Sequence, residues 1–377
     1  MSIVSLVKCS AYDPVMIREA LGRGIELLGG FERFLNPGDS ILLKPNLLAG
    51  VRPERAVTTH PGIFSGVSVL LNERKYALNY GDGPGIISLR SASVKTGLDR
   101  IARELNVEEV NFSNTENKKY PDGKQHQVFE MYKDFAKFKI ISLPKFKTHN
   151  LTRITGAVKN QYGFLSFRQK REFHALLKQP DQFARMLLDL NAFINPVLYI
   201  LDAVQAMEGD GPMNGNPVDL GLIAISSDPV ALDATLCRII DLDPYLVDTV
   251  RLGENEGFGK ASKQNIKLVG DPIQDFLRKD FKVERSRIFH PQSRSILNTL
   301  FTSLSKLPII KEETCTGCGD CEQACPVIPK AISMRTAQER KIAKINYTYC
   351  IQCYCCSEVC MHRAIELRRK GIRRKSG

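Results

Sequence analysis

The decisive stretch is Cys315-Thr316-Gly317-Cys318-Gly319-Asp320-Cys321-Glu322-Gln323-Ala324-Cys325-Pro326. It returns as Cys350-Ile351-Gln352-Cys353-Tyr354-Cys355-Cys356-Ser357-Glu358-Val359-Cys360-Met361. Both copies space four cysteines as C-x2-C-x2-C-x3-C. Three thiolates at i, i+3 and i+6 in a tight loop can hold three corners of an iron–sulfur cubane. The fourth leaves on a short helix, pointing away from its own loop toward the other cluster. The spacing therefore predicts two 4Fe-4S clusters. One is held by Cys315, Cys318, Cys321 and Cys360, the other by Cys350, Cys353, Cys356 and Cys325.

Two blander readings fit less well. Structural zinc takes four thiolates as two separated C-x2-4-C pairs. A disulfide framework suits a small secreted chain. The flanks repeat too, since Ala331-Ile332 follows Cys325 and Ala364-Ile365 follows Cys360. Residues 306–369 thus resemble the bacterial two-cluster ferredoxin family, which implies a small α+β domain and single-electron transfer. Met361 stands where that family usually has proline. Cys355 reads as a small buried thiol, against alternative ligation or redox lability. Between the copies, residues 326–349 leave room for a hairpin with 341–345 as one strand.

Working back from this domain, the chain has 377 residues, 43% apolar and 25% charged, enough for two or three domains with real cores. No apolar run reaches the ~18 residues that span a bilayer. The first nine residues read as a strand without a basic leader, so the expected location is cytoplasmic. The formal net charge is +12. From Lys306 onward there are fourteen Lys and Arg against seven Asp and Glu, leaving +5 for the rest. Two oxidised cubanes with their thiolates carry about −4, so part of the surplus compensates cofactors. The basic tail of residues 370–377 lacks the interleaved aromatics of nucleic-acid grooves and reads as a solvated end, with an acidic partner next in order.

Before residue 285, apolar runs alternate with amphipathic stretches. Strands are expected at 40–44, 76–80, 107–112, 138–143, 197–202, 220–226 and 265–269. Helices are expected at 15–28, 62–72, 91–105, 151–162, 181–193 and 229–240. Such alternation predicts an α/β domain with a largely parallel sheet covered on both faces. Ligands of such sheets gather beyond the carboxyl ends of the strands. There the chain places Lys44-Pro45-Asn46, Gly81-Asp82-Gly83-Pro84, Pro144-Lys145-Phe146-Lys147-Thr148-His149 and Gly209-Asp210-Gly211-Pro212. Lys145, Lys147 and His149 before an expected helix start, with Thr152, Thr155 and Lys159 on its face, form a candidate anion cradle. Lys44 converges on it, and Asp82 and Asp210 offer carboxylates; as the alternative, the lysines are surface residues and the Gly-Asp-Gly-Pro segments plain turns. Dinucleotide and P-loop readings fail: Gly209-x-Gly211 lacks its third glycine, and no G-x4-G-K-[ST] exists.

These segments, with Gly156-Ala157-Val158-Lys159-Asn160 and Ser227-Asp228-Pro229-Val230-Ala231-Leu232-Asp233-Ala234, resemble the domain of unknown function 362 family, whose members often carry ferredoxin-like cysteine clusters. Asp228-Pro229 makes an N-cap and first helical residue. Asp233, one turn further, suits capping as well as catalysis. The expected organisation is an α/β domain over 1–285, a connector over 286–305, the two-cluster domain over 306–369, and the tail over 370–377. The wider stretch 272–308 is polar and basic, with helices expected near 273–279 and 296–305.

Three functions are open at this point. The first is electron transfer with a redox partner protein, extended to a ferredoxin-linked oxidoreductase that reduces an anionic small molecule in the N-terminal domain. The second is a non-redox ligase, isomerase or transferase whose clusters are structural or regulatory. The third, nucleic-acid binding by the tail, is disfavoured. No catalytic residue is assigned.

Overall fold

The computed structural model describes residues 1–177, 179–286, 306–337 and 340–369. The strands of the N-terminal domain are β1 (Ser2–Lys8), β2 (Ser40–Pro45), β3 (Ala77–Tyr80), β4 (Glu108–Glu109), β5 (Thr115–Lys119), β6 (Val128–Tyr132), β7 (Lys139–Leu143), β8 (Lys145–His149), β9 (Arg153–Thr155), β10 (Leu198–Glu208), β11 (Asn216–Ser226) and β12 (Ile266–Gly270). Its helices are α1 (Pro14–Glu26), α2 (Pro61–Asn72), α3 (Leu89–Thr96), α4 (Leu98–Glu104), α5 (Ala157–Asn160), α6 (Phe167–Leu176), α7 (Pro180–Ile194), α8 (Pro229–Ile239) and α9 (Asp248–Asn255). The main sheet runs β12-β1-β11-β10-β7-β2-β3-β4, with β8 paired to β10 and to β9. Its centre, β10-β7-β2-β3-β4, is parallel. The antiparallel strand β11 lies between β1 and β10. The fold is the expected α/β domain plus a small α+β domain.

Local sequence explains the helix starts. Asp13 caps α1 by accepting from the amides of Val15 and Met16 at 3.0 Å, and Asp228 caps α8 through Val230 and Ala231 at 2.9 Å. Ile17, Leu21 and Ile25 on α1 pack with α2 onto one sheet face. On the other face α7 contributes Phe183, Leu187 and Leu190. Each such side chain, once buried, stabilises the fold by roughly 1.5–3 kcal/mol.

Three of the expectations before residue 163 are corrected. The helix over 91–105 is two helices, because Gly97 at φ +82° takes the left-handed region between α3 and α4. The strand over 107–112 shrinks to Glu108–Glu109. The helix over 151–162 is replaced by a hairpin of β8 with β9, then the single turn α5 and a 3-10 turn. The β5–β6 hairpin, largely polar in β5, carries no sequence signal that foretold it.

In the C-terminal domain, Lys306–Ile310 pairs antiparallel with Ile365–Arg369, and Ile332–Ala337 with Arg340–Ile345 as the expected hairpin. Short helices Asp320–Ala324 and Cys355–Val359 follow the two cysteine loops. The expected helix near 273–279 is a 3-10 turn, Ile273–Phe276. The expected helix at 296–305 and the basic tail lie outside the described residues.

Candidate functional site at the domain junction

The crossed cysteine sets are found as two cavities. One, of about 350 Å³, is lined by Cys315, Cys318, Cys321 and Cys360. The other, of about 340 Å³, is lined by Cys325, Cys350, Cys353 and Cys356, with Cys355 beside them. Each thus gathers three sulfurs from one loop and the fourth from the other. Backbone N–H groups of Ala343 and Ala364 point at Cys315 Sγ (3.4 Å) and Cys360 Sγ (3.3 Å). Burial and neighbouring sulfurs push the Cys321 thiol up to about 12 and Cys356 well above its ordinary value. Thiols so placed stay protonated unless a metal centre takes the proton's place. Four inward sulfurs per cavity fit a cubane, which supplies single-electron chemistry once bound.

A cavity of about 970 Å³, counting its solvent-open mouth, lies between the two domains and is larger than either cysteine cavity. Its floor is the carboxyl edge of the parallel strands, with Asn46 after β2 and Asp82 after β3; β7 joins β2 on the opposite side, so this is where strand order reverses. Lys159 and Asn160 of α5 and Lys170, Arg171 and His174 of α6 form one wall. Cys355, Glu358 and Met361 of the C-terminal domain form its roof.

The floor is rigid by construction. Asp82 Oδ1 accepts from Lys44 Nζ at 2.6 Å, and its Oδ2 from the Leu47 amide at 2.8 Å. A side chain at Gly163 would collide with both Lys44 and Asp82, so only glycine lets the 3-10 turn close over them. Lys170 Nζ donates to the Gly83 carbonyl, and burial lowers it to about 8. Asp233, on α8, accepts from Ala157 and Val158 at 2.6 and 3.2 Å, capping α5 from outside; burial raises it to about 7. Its role is therefore positional.

The candidate anion residues separate. Asp82 and Lys159 line the cavity. Lys44 backs Asp82, and Lys147 donates to Asn46 Oδ1 at 2.7 Å and to the Val57 carbonyl, one layer behind the wall. Lys145 turns away to Asp202 (2.9 Å) and the Tyr12 hydroxyl (2.7 Å). Asp210 accepts from Asn150 at 3.2 Å in its own turn, outside the cavity lining. The cradle is thus mostly a buried polar layer: Asp82, Thr155 and Lys159 reach the cavity, Lys159 being the only lysine of the cradle that does. Lys159 makes no ion pair among the described residues and lies over the Tyr162 ring.

His149 bridges the domains. Its Nδ1 accepts from the amides of Leu151 (3.1 Å) and Thr152 (3.3 Å), so the ring proton sits on Nε2. Nε2 lies 3.2 Å from Glu358 Oε1, off-line for a hydrogen bond. Burial and Lys159 lower His149 to about 4, despite Glu358. Burial opposes the Glu358 carboxylate, but its positive surroundings outweigh that and hold it at about 2. His149 Nε2, Glu358 Oε1 and His174 Nδ1 are buried without a hydrogen-bond partner, and the latter two residues line the cavity.

Sequence reasoning missed His174, Lys170 and Arg171, although their i, i+1 and i+4 spacing on α6 is visible once that helix is drawn. It missed Glu358 because the cysteine pattern around it has its own explanation. Cys355 is buried as expected, and the closeness of its thiol to Cys353 lowers Cys353 and raises Cys355. It lines both the second cysteine cavity and the junction cavity. Met361 takes the usual proline's place in a docking contact: its carbonyl accepts from Arg55 at 3.1 Å, and it packs with Leu48 and Ala49 against the buried Met207–Met213 cluster.

Residues 41–238 match the family described as "Domain of unknown function (DUF362)", and residues 312–364 match the 4Fe-4S dicluster domain. A thylakoid-associated protein of Synechocystis sp. is 33% identical over 69% of this chain and 81% of its own length. One component of the H2:CoB-CoM heterodisulfide, ferredoxin reductase of Methanothermobacter marburgensis is 36% identical over 15% of this chain and 10% of its own. A crystal structure of a Thermotoga maritima protein aligns with a TM-score of 0.39 at 14% identity, over 59% of this chain and 57% of that one. Among the described residues no helix is long and apolar enough to cross a membrane.

Proposed function

This chain belongs to the DUF362 family and ends in a 4Fe-4S dicluster domain, and from that premise we propose that it is a ferredoxin-linked reductase of a small anionic molecule held in the junction cavity. Two 4Fe-4S clusters are its cofactors and iron–sulfur electron transfer is its chemistry. In this reading Cys315, Cys318, Cys321 and Cys360 ligate one cluster, and Cys350, Cys353, Cys356 and Cys325 the other. Lys159, Lys170 and Arg171 face the ligand's negative charge, while Asp82, Asn46 and Asn160 orient it. Lys44, Lys147 and His149 hold those groups from behind.

One observation carries the reading. The cavity floor is the strand-end edge of the family domain, and its roof is Cys355 and Glu358, which flank Cys353 and Cys356. A molecule bound there touches residues in contact with a cluster ligand, which is what short-range electron delivery needs. We place the reaction in the cytoplasm, because thiols such as Cys9 and Cys237 persist unpaired in a reducing compartment. Thylakoid association, named for the cyanobacterial relative, is the alternative that cell fractionation would decide.

The test uses anaerobically isolated protein. Roughly eight irons per chain and reversible reduction are expected. Native mass spectrometry should find a small acid bound to the wild type and lost from Lys159→Ala and Lys170→Ala, whose cluster spectra stay unchanged. A redox-silent protein, or a ligand indifferent to both substitutions, ends the reading. Turnover that persists with the clusters held in one oxidation state would favour the non-redox enzyme instead.

A further inference from the structure

The two cysteine cavities are not equivalent toward solvent, and they meet the junction cavity through different residues. The second shares with it the thiol of Cys355, the first only the carboxylate residue Asp320. The first contains Cys318, the exposed member of the eight; the other seven are buried or half-buried. The hairpin Ile332–Ala337/Arg340–Ile345 wraps this first cavity, with Met334 and Ala343 in its lining. Gly317 packs so closely on the Lys341 carbonyl that a Cβ would not fit, and Arg340 donates to the Glu312 carbonyl at 2.7 Å.

The exposed charges of that hairpin are basic. Arg335, Arg340 and Lys344 lie on the face opposite Met334 and Ala343, and Lys341 lies near the tip on the other face. All four are exposed, and the hairpin's described residues include no acid. Glu312 and Glu313 lie in the adjoining loop, and Glu312 is engaged by Arg335 at 2.6 Å. Arg340, Lys341 and Lys344 make no ion pair among the described residues. Three such cations beside the most exposed cysteine give this edge a sign as well as a location.

We propose that this hairpin edge is the docking surface for an acidic one-electron carrier protein, and that electrons pass from it to the Cys318 cluster, then to the Cys353 cluster, then to the cavity. The partner is a protein carrying its redox centre near an acidic surface, of the ferredoxin or flavodoxin kind. Each encounter moves one electron: the carrier's centre is oxidised by one and the Cys318 cluster reduced by one. Two encounters charge both clusters. Such interfaces are small and transient, and opposite charge raises their encounter rate in a salt-dependent way. The last leg, into the cavity, rests on the reductase reading above; the docking leg does not.

The experiment is anaerobic stopped-flow exchange between the full-length protein and an acidic plant-type 2Fe-2S ferredoxin, in whichever direction the potentials allow, with calorimetry of the two oxidised proteins for binding. Rate and affinity should fall steeply as salt rises from 20 to 300 mM. Arg340→Glu combined with Lys341→Glu and Lys344→Glu should slow exchange roughly 10-fold or more and abolish the salt dependence. The same variant should react faster than wild type with a basic carrier such as cytochrome c, while reduction by dithionite stays unchanged. Lys8→Glu and Arg18→Glu, on the N-terminal domain, should change nothing. If the triple variant misfolds, single Lys341→Glu and the wild-type salt dependence carry the test. Exchange indifferent to both salt and hairpin charge overturns the docking surface. Normal docking with no cavity-bound acceptor overturns only the reductase reading.

Discussion

His149 Nε2 and Glu358 Oε1 lie 3.2 Å apart, one at the end of β8 in the family domain, the other in the helix between the last two cysteines of the chain. Their contact couples cofactor domain and cavity floor. Arg171, reaching the Cys325 carbonyl at 3.0 Å, and Arg363, reaching the Gly215 carbonyl at 3.1 Å, join the same interface. Replacing Glu358 by Ala removes a buried contact that spans the two domains, short of a hydrogen bond, which should cost roughly 0.5–3 kcal/mol in chemical denaturation.

The same histidine makes stability depend on acid. Its folded value, about 4, lies below the ordinary 6.5, so between these limits the unfolded chain binds the extra proton. Stability is then fully present above about pH 6.5 and falls as pH drops toward 4, by roughly 2–3 kcal/mol. His60, also lowered to about 4 by burial, adds in the same direction. His149→Asn should flatten this limb of the stability–pH curve; an unchanged slope would refute the assignment.

Lys44 and Asp82 are buried together, with side chains 0% and 3% exposed. Removing one partner strands the other charge, so Lys44→Met should cost about 3–5 kcal/mol. Lys44→Met combined with Asp82→Asn should recover part of that loss in urea melts. A strictly additive double variant would show that the pair does not interact.

Cys355 lines the second cysteine cavity beside Cys353 and Cys356, where its thiol is placed to donate to a cluster sulfur. Hydrogen bonds to cluster sulfurs stabilise the reduced, more negative state and raise the potential. Cys355→Ala should therefore lower the potential of one cluster in an electron-paramagnetic-resonance redox titration and leave the iron content intact. Loss of iron instead would make Cys355 a ligand.

Crossed ligation predicts that Cys360→Ala damages the cluster of the first loop and Cys325→Ala that of the second, each leaving roughly four irons of eight. Stripping both clusters with a chelator should unfold the C-terminal domain while the N-terminal domain persists. The C-terminal core is little more than Ile332, Ile345 and Ile365 around the cysteines, too small to fold without its metal centres. Two separated transitions in circular dichroism would report this.

Local chemistry was readable directly from the residues. Loop spacing sets which sulfurs can share a cubane, and Asp228 and the apolar runs of β2, β7 and β10 set a helix start and core strands, because each depends on neighbours a few positions away. Which lysines line the junction cavity did not follow from spacing. Lys145-Phe146-Lys147-Thr148-His149 reads as a polar, solvent-facing approach to a helix, yet all five residues are buried in β8. The ammonium groups of Lys145 and Lys147 are satisfied by Asp202, Asn46 and Val57, all distant in sequence, and only the packed sheet brings those partners within reach. The cavity likewise exists only because a second domain closes over the strand ends, giving Glu358 and Cys355 a role that no pattern within their own loop encodes.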